Sequence, residues 1–324
     1  MTTAINRPKI LVTGGYGFIG GNFIQYLRET FQQSVYIVNI DKNGYASNKE
    51  YASPYCDETY DIDITDVPAL EMRFDEDEPY DYIFHFAAES HVDNSISGPT
   101  VFVESNVLGT QNLLECYRVR NKGHGRFIHI STDEVYGHLD LTDPAFTEET
   151  PLSPRSPYAA SKASSDLMCI SYMKTYGLDI GITRCCNNFG PNQYKEKFIP
   201  TIIDSLKNGN KIPVYGKGNN VREWIHVTSH NEAVWNVAIK GDAGVYNIGS
   251  GVELTNLELV KLVCEIMGKE PVDNIEFVAD RLGHDFRYAI DCSKAKKIGM
   301  QQGTYNDFVV ELTDYIGYYI SNDR

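Results

Sequence analysis

No apolar run in the chain is long enough to span a bilayer, so a helical membrane span is not expected. Cationic side chains are scarce: 29 Lys and Arg stand against 44 Asp and Glu, a formal charge of -15. That balance argues against nucleic acid or an anionic membrane as a partner, and any anionic ligand must be met by a few focused cations. The seven cysteines lack repeated CxxC spacing, and their odd number suits reduced structural thiols in a cytoplasmic setting, without a metal or disulfide framework. An export signal is not expected either, because the apolar stretch from Ile10 leads directly into a glycine loop. Internal repeats and low-complexity tracts are missing, and the acidic stretch from Asp75 to Asp81 reads as a solvated helix end or loop. What remains is 324 residues able to bury a large core, more naturally as one domain with a smaller lobe than as two equal halves.

The apolar strand Lys9 to Val12 runs into Gly14-Gly15-Tyr16-Gly17-Phe18-Ile19-Gly20, after which Phe23, Ile24 and Leu27 have helical spacing. Strand, tight turn and helix therefore follow in the order that aims a helix N-terminus at a pyrophosphate, with Gly14, Gly17, Phe18, Ile19 and Gly20 lining the turn. Val35 to Ile40 is a second strand ending at Asp41, whose carboxylate suits an adenosine ribose and repels a 2'-phosphate, so NAD is expected over NADP. Asp63 and Ile64 either meet adenine or are a surface Asp and a core Ile. Tyr82 to Phe86 ends at Ala87 and Ala88, small enough, with Ser90, for close cofactor approach, whereas His91 and Asp93 more naturally orient the loop. Strands alternating with helices such as Val101 to Arg118 and Pro157 to Tyr176 predict an α/β fold, a Rossmann-like doubly wound parallel sheet. Residues 1–187 are expected to form mainly the cofactor domain and 188–324 mainly a smaller C-terminal substrate-binding lobe, with segments near 224–248 returning to the main sheet.

Phe127 to Ile130 delivers Ser131-Thr132-Asp133-Glu134 at a strand's C-terminal end, upstream of Tyr158 and Lys162. Tyr and Lys four residues apart share a helical face, and a nearby ammonium favours the phenolate that takes a hydroxyl proton while hydride leaves the same carbon. Thr132 can orient the reacting hydroxyl. Ser131 competes for that place, but neighbours on a strand point to opposite faces. Once a hexose C4 is a ketone, its C5 proton is acidic and within the reach of Glu134. Asp133, kept protonated by its like-charged neighbour and partial burial, can protonate a departing C6 hydroxyl.

These motifs resemble the extended short-chain dehydrogenase/reductase superfamily and, within it, the nucleoside-diphosphohexose 4,6-dehydratases, especially the dTDP-glucose 4,6-dehydratase family. The resemblance spans nearly the whole chain and is carried by the glycine loop, Ala87-Ala88-Glu89-Ser90-His91-Val92-Asp93, Ser131 to Gly137, and Tyr158-Ala159-Ala160-Ser161-Lys162. It implies that Tyr158 is the base at the C4 hydroxyl, Asp133 the acid at the C6 oxygen, Glu134 the base at C5, Thr132 the orienting hydroxyl and Lys162 a cofactor contact. Asn187, in Arg184 to Pro191, resembles a contact to the sugar diphosphate, and Glu196, Lys197 and Pro200 resemble the EKxxP segment, with Tyr194-Lys195 replacing the usual Phe-Pro before it. Arg222 resembles a diphosphate clamp, with a solvent-facing Arg as the alternative, and Arg281 and His284 lie in a stretch that resembles a nucleotide-binding segment, with Leu282 replacing the usual Pro. An Asp-Asp pair usual near Thr228-Ser229 is absent. Asn256 contacts the nucleotide or caps a helix. The two long helices imply a homodimer. The implied reaction converts dTDP-glucose or UDP-glucose to the 4-keto-6-deoxy product, feeding deoxysugar pathways such as that of rhamnose. The alternatives are a sugar-nucleotide 4-epimerase or decarboxylase, or a non-catalytic nucleotide-sugar sensor.

Overall fold

Twelve strands form the described sheets: β1 (Lys9–Thr13), β2 (Tyr36–Asp41), β3 (Glu58–Asp61), β4 (Tyr82–His85), β5 (Arg126–Thr132), β6 (Ile180–Cys185), β7 (Asn187–Phe189), β8 (Ile212–Tyr215), β9 (Val221–His226), β10 (Gly244–Ile248), β11 (Glu253–Thr255) and β12 (Ile275–Val278). The structure, a computed structural model, describes residues 7–280 and 283–322. Seven strands make one parallel sheet in the order β3-β2-β1-β4-β5-β6-β10. Ile10, Leu11 and Val12, like Phe127 and Ile128, are fully buried, as expected of strands covered on both faces. The chain reverses direction of travel across the sheet between β1 and β4, which opens a crevice at the strands' carboxyl ends.

Helices cover both faces. Phe18–Phe31 buries Phe23, Ile24 and Leu27 and packs beside Val227–Lys240, so residues far along the chain return to the first strand's neighbourhood. Pro157–Tyr176 has Ser156 accepting from the Ala159 amide at its start, Pro157 in its first turn and Gly177 in a left-handed conformation at its end. The helix expected at Val101 to Arg118 runs from Thr100 to Arg120, and its stretches Val103–Leu108 and Cys116–Arg120 are wound as π-helix.

A second core lies among β7, β9, β11 and the pair β8 and β12. Phe189, Ile199, Ile202, Leu259 and Val263 meet Phe308, Leu312, Tyr315 and Ile316 of the Tyr305–Ser321 helix there. Two of its helices start at capping boxes, Thr255 with Glu258 and Thr304 with Asp307. Among the described residues, no helix is long and apolar enough to cross a membrane.

The acidic stretch corrects one expectation. Asp77 is not solvated: its side chain is 6% exposed and lies 2.5 Å from both Lys9 and Arg73, and it accepts a hydrogen bond from Tyr80. Two cations and a phenol gathered from three parts of the chain make burial of that carboxylate affordable.

Candidate active site

The glycine loop turns because Gly14 adopts φ +76°, and a Cβ there would lie 2.5 Å from the Ala87 amide nitrogen. A Cβ on Gly20 would lie 2.4 Å from the Gly14 carbonyl. Only glycine lets the helix start this close to β1 and β4. Asp41, at the end of β2, accepts the Tyr16 amide at 2.9 Å on one oxygen and the Asn43 amide at 2.7 Å on the other. Burial raises its pKa while those amides hold it down. The cradle, the bare helix start and this carboxylate fit a pyrophosphate and an adenosine ribose.

A cavity of about 540 Å³ extends from this turn across the strand ends into the second core. Its wall includes Gly14, Gly17, Phe18, Ile19, Gly20, Asp41, Asp63, Ile64, Ala87 and Ala88 on the cofactor side. Asp63 also accepts from the Thr65 amide and hydroxyl, and Ile64 packs on Gly109, so the two residues join the cavity wall to local structure. Ser90, Asn187, Glu196, Lys197, Arg222, Asn256 and His284 line the other side, while Arg281 lies outside the described residues.

At the junction stand Thr132, Glu134, Tyr158 and Lys162, all on the wall. β5 ends at Thr132, whose hydroxyl accepts the Glu134 amide at 3.4 Å and donates to Asp133 Oδ1 at 3.3 Å. Ser131 is also at the wall, but its buried hydroxyl has no hydrogen-bond partner among the described residues. Lys162 donates to the Ile130 carbonyl at 2.7 Å, fastening its helix to β5, and burial lowers its pKa while Asp166, one turn on, opposes that.

Two findings bear on the expected acid and base. Asp133 is 1% exposed and does not line the cavity, since the helical turn Asp133–Tyr136 directs it beneath the floor. There, burial first, then the charges of Glu134 and Glu223, push its pKa well above the carboxylate range, so it holds a proton. The Tyr158 phenol is raised well above 10 by burial, then by Glu134, with the Thr132 hydrogen bond opposing. The chain's own residues therefore keep the phenol neutral, and the expected lowering needs a further positive charge at the site.

Other residues behave differently from their sequence signals. Arg222 is buried, and its guanidinium donates to the carbonyls of Val221 at 2.7 Å, Asp285 at 2.9 Å and Phe286 at 3.3 Å while stacking 4.4 Å from the Tyr288 ring. Glu196 accepts from Tyr45 at 2.9 Å, and Lys197 donates to the Ser90 carbonyl at 3.0 Å. Asn256 is not the helix cap, because Thr255 holds that position, so its side chain is left to the cavity. His284 Nδ1 lies 2.7 Å from Asp280. Sequence reasoning passed over Tyr45, Tyr215 and Tyr288 on the wall, and over Glu223. Glu223 is buried, accepts the Gly251 amide at 2.7 Å and the Ile290 amide at 3.3 Å, and burial lifts its pKa to about 7. None sits in a recognisable chemical motif, although Glu223 directly follows the singled-out Arg222.

Comparison with known proteins agrees with this geometry. The family model for GDP-mannose 4,6 dehydratase matches residues 11–311. The low-salt glycan biosynthesis protein Agl12 of Haloferax volcanii is 46% identical, over 97% of this chain and 99% of its own. The dTDP-glucose 4,6-dehydratase 1 of Escherichia coli K12 is 43% identical, over 98% and 94%. Among solved structures, the dTDP-glucose 4,6-dehydratase DesIV of Streptomyces venezuelae, determined with NAD bound, superposes with a TM-score of 0.89 at 43% identity and 97% coverage of both chains. The UDP-glucose 4-epimerase of Thermotoga maritima reaches 0.88 at only 28% identity, covering 97% of this chain and 99% of its own, so the fold is shared beyond the dehydratases. With the dinucleotide cradle, the Tyr158 and Lys162 pair, and the acids after Thr132 brought together at one switch point, the chain belongs to the nucleoside-diphosphohexose 4,6-dehydratase family of the extended short-chain dehydrogenase/reductases.

Proposed function

We propose that this protein is an NAD-dependent 4,6-dehydratase acting on dTDP-glucose or UDP-glucose, and that it releases the nucleoside-diphospho-4-keto-6-deoxyglucose and water. The observation that carries the reading is the placement of Thr132, Asp133 and Glu134 around Tyr158 at the carboxyl end of β5. An epimerase needs the tyrosine but has no elimination for two further carboxyl groups to assist.

In this reading Thr132 holds the C4 hydroxyl against Tyr158, and the phenolate takes its proton. NAD, when bound, supplies a hydride acceptor and donor, and its positive ring adds the charge that the phenolate lacks in the chain alone. Glu134, on the wall, removes the C5 proton made acidic by the C4 ketone. Asp133, neutral beneath the floor, provides the proton with which the C6 oxygen leaves as water. Glu134 then returns its proton to C5. Lys162 fixes the Tyr158 helix to β5 through the Ile130 carbonyl.

The lobe built around β7, β8 and β9 is assigned to the nucleotide and diphosphate, with Asn187, Arg222, Asn256 and His284 facing them. We also infer a homodimer through the two long helices, which expose Val103 (55%), Leu108 (48%) and Leu167 (56%). A monomer mass by light scattering overturns that part. A cytoplasmic setting is inferred from seven free cysteines, six of them buried.

Separate reactions with dTDP-glucose and UDP-glucose, analysed by mass and NMR, test the function. A product lighter by one water, with a C6 methyl and a C4 ketone, is expected. Recovery of a C4 epimer, or of unreacted substrate from both reactions, removes the proposal.

A further inference from the structure

Asp285 is 2% exposed and does not line the cavity, yet its partners lead to it. Its Oδ2 accepts the Tyr288 hydroxyl at 2.6 Å. Its backbone carbonyl accepts the Arg222 guanidinium at 2.9 Å, and that guanidinium lies 4.4 Å from the Tyr288 ring. Arg222, Asp285 and Tyr288 therefore close a triangle, and Arg222 and Tyr288 stand on the cavity wall. The Asn220 side chain donates to the same carbonyl at 3.1 Å and the Val221 amide to the Phe286 carbonyl at 2.7 Å, so the triangle is fastened to the start of β9.

The other carboxylate oxygen, Oδ1, points away from that wall. It forms an ion pair with the Arg155 guanidinium at 2.9 Å. His138 Nδ1 lies 3.8 Å from it but accepts the Phe286 amide at 2.9 Å, so that nitrogen carries no proton to share with Asp285. Arg155 directly precedes Ser156, which caps the Pro157–Tyr176 helix, and Tyr158 is three residues on. One buried carboxylate thus spans from the wall assigned to the diphosphate to the start of the helix that carries the reacting tyrosine. We propose that Asp285 is a positioning residue that fixes the Arg222–Tyr288 wall against the start of the Tyr158 helix, so that a sugar held by its diphosphate presents its C4 hydroxyl to Tyr158; the role rests on the dehydratase reading.

A buried ion pair adds little net stability over apolar side chains, because desolvation offsets the attraction. What it fixes here is a distance. The diphosphate leaves the hexose at C1 and the reacting hydroxyl is at C4, on opposite ends of the ring. A shift of the wall relative to the helix is therefore carried in full to the reacting group, where about 1 Å of misplacement costs on the order of a hundred-fold in rate. Asp285 is off the cavity wall, so its loss acts on the rate and leaves nucleotide affinity in place.

The test compares wild type, Asp285→Asn, Arg155→Gln and the double variant, each measured for melting temperature, for kcat per NAD-loaded site, and for affinity toward dTDP and UDP, the nucleotides without their sugar. Each single change removes the ion pair from one side at nearly constant volume. Each is expected to lower kcat about ten-fold or more. The nucleotides are expected to bind within about two-fold of wild type, and the double variant to lose no more than the larger single loss. A lower melting temperature with unchanged kcat marks a merely structural carboxylate and overturns the proposal. Losses that multiply in the double variant, or a nucleotide affinity that falls as far as kcat, also overturn it. If Asp285→Asn does not fold, Arg155→Gln, at a side chain 46% exposed, decides by the same comparison of kcat with affinity. If wild type forms no C6-methyl product, the dehydratase reading falls and the positioning role with it; product from wild type and undiminished kcat in the variants removes the positioning role alone.

Discussion

Asp133 and Glu134 are consecutive, yet one lies beneath the cavity floor and the other lines the wall. Environment, not residue type, separates the two carboxyl groups: burial and two neighbouring carboxyl groups keep the Asp133 proton on, the first of them Glu134 and the second Glu223. Glu223 faces a crowded set of charges, with Asp133 and Arg222 nearby, Cys186 and Cys292 against it, and Glu253 and Arg287 across its strand. Removal of its negative charge lowers the Asp133 pKa, so Asp133 ionises at lower pH. Glu223→Gln is therefore expected to move the alkaline limb of the dehydration rate toward lower pH, while its single carbonyl oxygen keeps one of the two amide contacts. An unchanged profile in a folded variant means that Glu223 has no part in holding that proton. That Thr132, Tyr158 and Lys162 meet at one cavity was legible in the sequence because each belongs to a spaced motif. The place of Asp133 off the cavity wall was not, because it depends on the direction of one helical turn after β5.

At the level of elements, the crevice exists because β1, β2, β4, β5 and β6 all end on the same side, bringing Gly14, Asp41, Ala87, Thr132 and Cys185 together. Apolar runs and the glycine turn announced those strand ends directly. The ion cluster at Asp77 was invisible in sequence, since Lys9 and Tyr80 approach it only after the strands pair. The turn after β1 is the element with least tolerance. Gly14→Ala places a Cβ against the Ala87 backbone at a φ of +76°, strain of about 1–3 kcal/mol before any clash is counted. The variant is expected to melt at lower temperature and to be purified with less NAD. A variant matching wild type in both respects would show that the cradle is not the tight turn described here.

Across the whole molecule, buried histidines link stability to pH. Burial lowers both His129 and His230 from 6.5 to about 4. Between those pH values the unfolded chain binds protons that the folded chain refuses, so their contribution is complete above 6.5 and is lost as pH falls toward 4. The raised carboxyls Asp133 and Glu223 act in the opposite sense over part of that range, so the test compares wild type with His230→Asn. The stability advantage of wild type in urea is expected to shrink by on the order of 3 kcal/mol as pH falls through the window. A constant difference contradicts a neutral buried His230.

The two-core architecture ties these scales to the chemistry, because it sets the glycine cradle and the wall of the second lobe on opposite sides of Tyr158 and Glu134. The central claim is an oxidation and a reduction within one bound sugar, with elimination between them. It is tested most directly with dTDP-glucose carrying deuterium at C4. The account predicts deuterium in the C6 methyl group of the product, with no accumulation of free reduced cofactor. Deuterium remaining at C4, or leaving in released reduced cofactor, contradicts it.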